Sequence, residues 1–113
     1  MSPLQSHTVP LERNQVWSGA FASEPYEASW SREAIFFIRA LKTSAAAQAA
    51  EARVQISPDG IHWCDEGSVC SLPNQTDETT FVKVSHYGGW LRLVGDAAPE
   101  SSVTVIVHLV LKA

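Results

Sequence analysis

Hydrophobic and polar residues alternate one by one through several segments of the chain. In residues 103–111, valines and leucines occupy every second position and form one unbroken apolar face: Val103, Val105, Val107, Leu109 and Leu111. A period of two places successive side chains on opposite faces of an extended strand. Residues 79–86 and 90–94 show similar alternation, so the pattern predicts a strand at each of these segments.

A different pattern, apolar on both faces, occupies residues 34–41 (AIFFIRAL). Its β-branched and aromatic residues favour a strand, and its length suits a strand better than a helix. The two faces consist of alternate residues, with Ile35, Phe37, Arg39 and Leu41 on one and Ala34, Phe36, Ile38 and Ala40 on the other. Because neither face is polar, this strand is predicted to lie in the middle of a sheet.

The residues Ser57-Pro58-Asp59-Gly60 predict a tight turn at the end of the alternating segment 53–57. Proline presets φ for the second turn position, Asp suits the third, and Gly accepts a positive φ at the last. Ile61 and Trp63 resume the alternation. The segment therefore predicts a hairpin whose return strand covers residues 61–64.

The amino-terminal part and one internal segment are less regular. Residues 1–14 are polar, contain two prolines and predict an extended arm that is ordered only where a partner or the body holds it. Weaker strands are predicted at 16–21, 26–30 and 69–72. Residues 43–52 are rich in alanine and fit either one to two helical turns or a loop; a loop with one helical turn is favoured, since so short a helix is marginal alone.

When the weaker segments are not all counted as strands of their own, the total is seven or eight short strands with turn residues between them. Strands at such spacing are typical of an all-β antiparallel sandwich. A chain of 113 residues fits one domain, so we expect an arm over 1–14 and a β-sandwich over 15–113.

Residues 52–65 (ARVQISPDGIHWCD) resemble a hairpin found in galactose-binding-like jelly rolls and in small sandwich domains of bacteriophage virions. In those families a strand ends in Ser-x-Asp-Gly and the return strand carries Trp. Residues 89–93 (GWLRL) resemble a later strand of the same domains. The resemblance covers roughly residues 30–112, implies a jelly-roll-like sandwich, and agrees in length with the phage-type members.

Composition and charge limit the partners. The formal net charge of −4 and the scattered Lys and Arg residues argue against nucleic-acid binding. The first ten residues lack the basic start and the apolar run of a secretory signal. A membrane span needs about 20 apolar residues, and no stretch of the sequence approaches that length. We therefore expect the protein in the cytoplasm or in a virion assembled there.

The two cysteines, Cys64 and Cys70, have neither CxxC nor zinc-site spacing. A cytoplasmic location favours free thiols. If Gly67 centres a hairpin, however, the two would lie opposite each other, and a cross-strand disulfide would also be compatible with the sequence.

No residue pattern predicts a catalytic, cofactor or metal site. The four histidines, His7, His62, His86 and His108, occur in no ligand spacing, and no GxSxG, P-loop or GxGxxG motif is present. The acids Asp59, Asp65, Glu66, Asp77, Glu78 and Asp96 lie in predicted turns, where turn formation and solubility explain them better than calcium binding does. The sequence therefore predicts that the protein is not an enzyme and that it needs no cofactor.

Tryptophans supply the candidate interface residues. Trp63 and Trp90 lie in strong strands and are expected in the core, whereas Trp17 and Trp30 lie in weaker segments. If exposed, Trp17 and Trp30 would suit a protein interface or a sugar platform. The leading hypothesis is a structural or accessory subunit that binds protein subunits of a larger assembly or copies of itself. The alternative is a small carbohydrate-binding module.

Overall fold

The computed structural model describes residues 6–44 and 50–113, which form nine β-strands. In chain order the strands are β1 Ser6–Trp17, β2 Ala20–Ala22, β3 Tyr26–Glu27, β4 Glu33–Thr43, β5 Glu51–Ser57, β6 Cys64–Ser71, β7 Thr79–Ser85, β8 Trp90–Asp96 and β9 Val103–Lys112. No helix in this described part of the chain is long and apolar enough to cross a membrane.

The strands form two antiparallel sheets that pack as a sandwich. The first sheet has the order β1-β9-β4-β7, and the second has the order β2-β8-β5-β6, with β3 also pairing with β8. The predicted all-β sandwich is confirmed. The sheets also confirm the central position of β4, which pairs with β9 on one side and β7 on the other.

The described residues form nine strands, against seven or eight predicted. The predicted strands 61–64 and 69–72 are wrong as separate elements, since both contribute to the single strand β6, and the amino-terminal region divides differently from the prediction. The first strand begins at Ser6, and residues 6–14 of the expected arm pair with β9 as part of β1. Gly19, with φ +62°, ends the predicted strand 16–21 in its middle. The chain crosses there from the first sheet, in β1, to the second, in β2.

The core lies between the inner faces of the two sheets. In the first sheet these faces consist of alternate residues of β4 and β9, and in the second of alternate residues of β5 and β8, all almost fully buried: Ala34, Phe36, Ile38, Ala40, Val103, Val105, Val107, Leu109, Leu111, Ala52, Val54, Leu91 and Leu93. Trp17 and Phe21 stack across the crossing between sheets, with ring centroids 4.3 Å apart. The period of two in the sequence is therefore the burial pattern of the fold.

The turn after β5 lies at its predicted position, but the return strand begins later than predicted. Gly60 has φ +79° and lies against the Trp90 ring. The Asp59 carboxylate accepts the N–H groups of both Ile61 and His62 at 2.8 Å. Since these donors are taken by the turn, residues 61–63 do not join the ladder, and the return strand starts at Cys64 instead of Ile61.

Two further predictions change in detail. Only Tyr26 and Glu27 of the predicted strand 26–30 pair, because Ser31 N–H bonds back to the Ala28 carbonyl and closes a turn. The favoured prediction of free thiols for Cys64 and Cys70 is confirmed, and because both lie on β6 they do not face each other across a hairpin. Gly67, with φ +115°, lies in a bulge of β6 and not in a hairpin turn.

The choice between loop and helical turn for residues 43–52 falls mainly on 45–49, which lie outside the described residues. Thr43 ends β4 and Glu51 begins β5. The first five residues of the expected arm also lie outside the described part.

Candidate functional site

The outward-facing side of the β1-β9-β4-β7 sheet, called the outer face below, carries an unusual mixture of residues. Strand register aligns its side chains in rows across the sheet. The row through the middle consists of Phe81, Phe37, His108 and Pro10, and the row above it of Lys83, Ile35, Val110 and Thr8.

Apolar side chains form the centre of the outer face. The Phe37 and Phe81 rings lie 6.2 Å apart across β4 and β7 and are tilted by 40°. The Phe81 side chain is 53% exposed, and Ile35 and Val110 are half-buried beside it. Ile106 continues the apolar surface in the next row, opposite Arg39. A contiguous apolar patch of this kind on a folded chain is a common mark of an interaction surface.

Basic side chains surround this centre. By register, Arg39, Lys42, Lys83 and Lys112 lie on the outer face, together with one acid, Glu33. The Lys83 ammonium nitrogen lies 6.0 Å from the Phe81 ring centroid. An apolar centre with a charged rim is the usual anatomy of a protein–protein interface.

The outer face therefore differs in charge from the rest of the molecule. It holds four of the eight Lys and Arg residues but only one of the twelve acids. The remainder of the chain has four basic residues against eleven acidic ones. The patch is thus locally positive on a protein whose net charge is −4.

A groove of about 420 Å³ borders the outer face where β6 approaches β7. Glu33, Ile35 and Lys83 line it from the first sheet, and Glu66 and Ser68 line it from the bulge of β6. The Ser68 N–H donates to the Glu66 carboxylate at 3.0 Å, which fixes the bulge. The groove adds a concave margin with charges of both signs to the outer face.

The outward side of the other sheet is organised differently. The Arg92 guanidinium lies over the Trp63 ring at 4.3 Å and donates to the Gln55 side chain at 2.9 Å. Gln55 in turn donates to Asp65 at 2.9 Å, and Arg53 also donates to Asp65, at 3.2 Å. These hydrogen bonds, that of Gln55 first, lower the pKa of Asp65 below its usual range. Since the polar groups already contact one another, this side is less suited to a partner than the outer face.

A solved structure shares the whole fold. The chain is similar to the crystal structure of SPBc2 prophage-derived protein YomS. The two agree with a TM-score of 0.64 at 10% sequence identity, over 100% of this chain and 97% of the other. No protein-family model matches the chain, and no curated protein sequence matches it. At this identity, the likeness to YomS shows a common two-sheet architecture over the full length.

The two tryptophans predicted as interface residues have different positions. Trp17 is 1% exposed and belongs to the core, because β1 directs it inward opposite Val103. Trp30 lies in the turn after β3 and is 41% exposed. The prediction required these tryptophans to be exposed. Trp30 meets this condition and Trp17 does not. Neither residue belongs to the outer face.

Sequence reasoning misses Phe37 and Phe81 as surface residues. Phe37 lies in a segment that is apolar on both faces, which by itself indicates core packing, and only the pairing of β4 with β7 brings its ring together with that of Phe81 on the outward side. The alternation of β7 contains a usable signal. Phe81, Lys83 and Ser85 share one face, and a face with Lys and Ser is not the buried one.

The histidines and turn acids remain scattered. No group of three or more His, Cys, Asp or Glu residues within 6–44 and 50–113 is placed to hold a metal ion. His62 contacts Asp59 at 2.7 Å within the turn, and backbone hydrogen bonds, that from His62 first, hold the pKa of Asp59 well below its usual range. His108 pairs with Phe37 and Pro10 across neighbouring strands, and His86 follows β7, two strands away from it.

Proposed function

We propose that this chain is a non-catalytic accessory subunit that binds other protein subunits of a larger assembly through the outer face. The observation that carries the proposal is the apolar centre formed by Phe37, Phe81 and Ile35, with basic residues around it. Hydrophobic burial supplies most of the free energy of protein association, and the charged rim supplies orientation.

A non-catalytic role is supported by the residues that line two grooves. The groove beside the outer face is lined by Glu33, Glu66 and Lys83, and a second groove of about 350 Å³ is lined by Ser57, Cys64 and Tyr87. Neither groove is lined by a histidine. A serine or cysteine nucleophile usually needs an adjacent base, so neither groove favours a hydrolytic site.

The assembly we favour is a virion or a tail-like complex. The likeness to a prophage-derived protein supports this setting, as does the resemblance of residues 52–65 to hairpins of phage sandwich domains. We further propose that the domain is related to jelly-roll sandwiches and that it is located in the cytoplasm or the virion. We propose no nucleic-acid partner. The proposal needs no cofactor.

The proposal is tested by changing the centre of the outer face. Phe81→Ser removes an exposed ring, so the fold should persist while association becomes weaker. We expect the association constant, for self-association or for binding of a purified partner subunit, to fall about tenfold or more. Loss of an aromatic side chain at the centre of an interface typically has an effect of this size. Sedimentation equilibrium and light scattering across a concentration series provide the measurement.

Val69→Ser is the matched control. Val69 is 53% exposed, as is Phe81, and lies on the other sheet in β6. We expect this variant to associate like the unchanged protein. A monodisperse monomer at high concentration, with no partner recovered by pull-down, would contradict the proposal.

A small carbohydrate-binding module is the second candidate, and the exposed indole of Trp30 favours it. Glu27 and Ser29 lie beside Trp30 in the chain and are hydrogen-bonded to each other. Binding of a glycan on an array that is lost in Trp30→Ala and kept in Phe81→Ser would support this candidate. Silence of the array would count against it.

A further inference from the structure

Acidic residues gather at one end of the sandwich, which we call the acidic end. It consists of five exposed residues: Glu51, Asp77, Glu78, Asp96 and Glu100. Glu51 begins β5 and Asp96 ends β8, and the neighbouring pair Ala52 and Gly95 aligns these two strand ends. These five residues account for nearly half of the twelve acids in the chain.

Hydrogen bonds between loops and strands hold this end together. The Asp77 N–H donates to the Ala40 carbonyl at 2.8 Å, and the Ala40 N–H donates to the Glu78 carbonyl at 3.0 Å. Ser44 N–H donates to the Ser102 carbonyl at 3.0 Å, two residues beyond Glu100. The acids therefore stand on backbone that is fixed to the sheet, and their charges are presented together.

The molecule thus has two adjoining surfaces of opposite charge, which meet near the end of β4, where Ala40 bonds to Asp77 and Glu78. The outer face combines its apolar centre with Arg39, Lys42, Lys83 and Lys112. Because charge complementarity guides both the encounter and the register of two proteins, a partner for the outer face should be acidic. The acidic end of a second copy has this property.

We infer that the outer face of one copy receives the acidic end of a second copy. The contact is heterologous, since different surfaces of the two copies meet. Two outer faces brought together would instead oppose four basic residues to four basic residues. A heterologous contact leaves one free surface at each end of a pair, so it continues into a ring or a filament. This inference rests on the proposed function and names the partner as the chain itself.

Charge reversal on each surface separately tests the inference. The face variant carries Arg39→Glu and Lys83→Glu, and the end variant carries Glu51→Lys, Asp96→Lys and Glu100→Lys. Each variant keeps one surface intact and should show self-association at least tenfold weaker than the unchanged protein. Mixed in equal amounts, the two should associate again, because the intact acidic end of the first fits the intact outer face of the second and the two altered surfaces are also opposite in charge. Sedimentation velocity follows all four samples.

Controls separate charge from folding. Arg39→Lys with Lys83→Arg preserves the charge of the outer face and should associate like the unchanged protein. Circular dichroism of every variant should retain the β-sheet spectrum.

The outcomes distinguish this inference from the proposed function. Full self-association of the end variant with loss in the face variant would show contact between two outer faces and overturn the inference only. So would a mixture that stays monomeric. A wild-type chain that is monomeric but binds a different purified subunit through Phe81 would also overturn the inference and leave the proposed function standing. Binding of a single-stranded oligonucleotide at the outer face, in place of a second copy, would overturn both.

Discussion

Single residues with a special backbone conformation give the first prediction. Gly60 and Gly19 both have positive φ, +79° and +62°, which a residue with a Cβ adopts at a cost of about 1–2 kcal/mol. A Cβ at Gly60 would also lie 3.1 Å from the Trp90 ring, whereas one at Gly19 would meet nothing within 4 Å. We expect Gly60→Ala to lower the free energy of unfolding by about 2–3 kcal/mol and Gly19→Ala by about 1 kcal/mol.

Urea denaturation of the two variants measures both effects, and their difference isolates the contact with Trp90. Equal losses would show that Trp90 shifts freely. A loss at Gly19→Ala larger than that at Gly60→Ala would contradict the positions of the two turns.

Glu12 gives the second prediction at this scale. It is 9% exposed, lies between two register shifts of β1, and its carboxylate accepts the Glu24 N–H at 3.3 Å. Burial raises the pKa of Glu12 above its usual value. The folded state therefore binds the Glu12 proton more tightly than the unfolded state does, and this contribution to stability is lost as the pH rises through the raised pKa.

Glu12→Gln should remove that loss, since the amide is neutral and its oxygen can still accept the Glu24 N–H. We expect the variant to be more stable than the unchanged protein at neutral pH, with the difference shrinking below the usual pKa of glutamate. Thermal unfolding of both proteins from about pH 3 to about pH 8, a range that brackets the usual glutamate pKa, provides the measurement. A difference that does not depend on pH would show that the charge of Glu12 has no influence on stability.

The alternation of buried and outward residues along β9 can be tested by substitution. Val107 faces the core and is fully buried, whereas Val110 is half-buried on the outer face. Valine and threonine have nearly the same shape, so Val→Thr adds mainly a hydroxyl that must be desolvated. We expect Val107→Thr to lower the free energy of unfolding by about 1–3 kcal/mol and Val110→Thr to change it by less than about 0.5 kcal/mol.

Chemical denaturation of the two variants measures this difference directly. Both substitutions lie on the same strand and change the same atoms, so each controls for the other. Equal effects would mean that β9 is buried on both faces, which would remove the outer face as an accessible surface.

The hydrophobic pattern of the sequence predicts some strands and misses others. Alternation locates β7, β8 and β9 because burial on one side of a sheet has the same period as the strand itself, and the apolar run of residues 34–41 locates β4. It does not locate β1, whose residues 6–14 are mostly polar and are held by pairing with the far end of the chain. It likewise misses the outer face, because a half-exposed Phe37 and a buried Phe36 look alike until the neighbouring strands are known.

Turn chemistry is predictable in kind but not in extent. Ser57-Pro58-Asp59-Gly60 is identified from residue type alone, yet the capture of two further N–H groups by Asp59 delays β6 to Cys64. Similarly, glycine at position 67 suggests a hairpin, and a bulge satisfies the same positive φ within a single strand. A glycine indicates the backbone angle, and long-range pairing decides which structure uses it.

At the scale of the whole molecule, one sheet joins residues from both ends of the chain. Ser6 pairs with Lys112, and β9 lies between β1 and β4. The last strand thus completes the outer face, contributing Ile106, His108, Val110 and Lys112. The outer face is therefore complete only once β1, β9, β4 and β7 have paired.

The uneven charge of the molecule yields the last prediction. If the positive outer face binds an acidic partner, added NaCl should weaken the association, because the Debye length falls from about 10 Å at 0.1 M to about 3 Å at 1 M. Ammonium sulfate at equal ionic strength screens the charges too but strengthens apolar burial, so it should weaken association less. Light scattering in both salts measures the two contributions.

In Phe81→Ser the advantage of sulfate over chloride should shrink, since the apolar centre is reduced. Association that NaCl leaves unchanged or increases would mean that Arg39, Lys42, Lys83 and Lys112 do not contribute to binding and that the apolar centre acts alone.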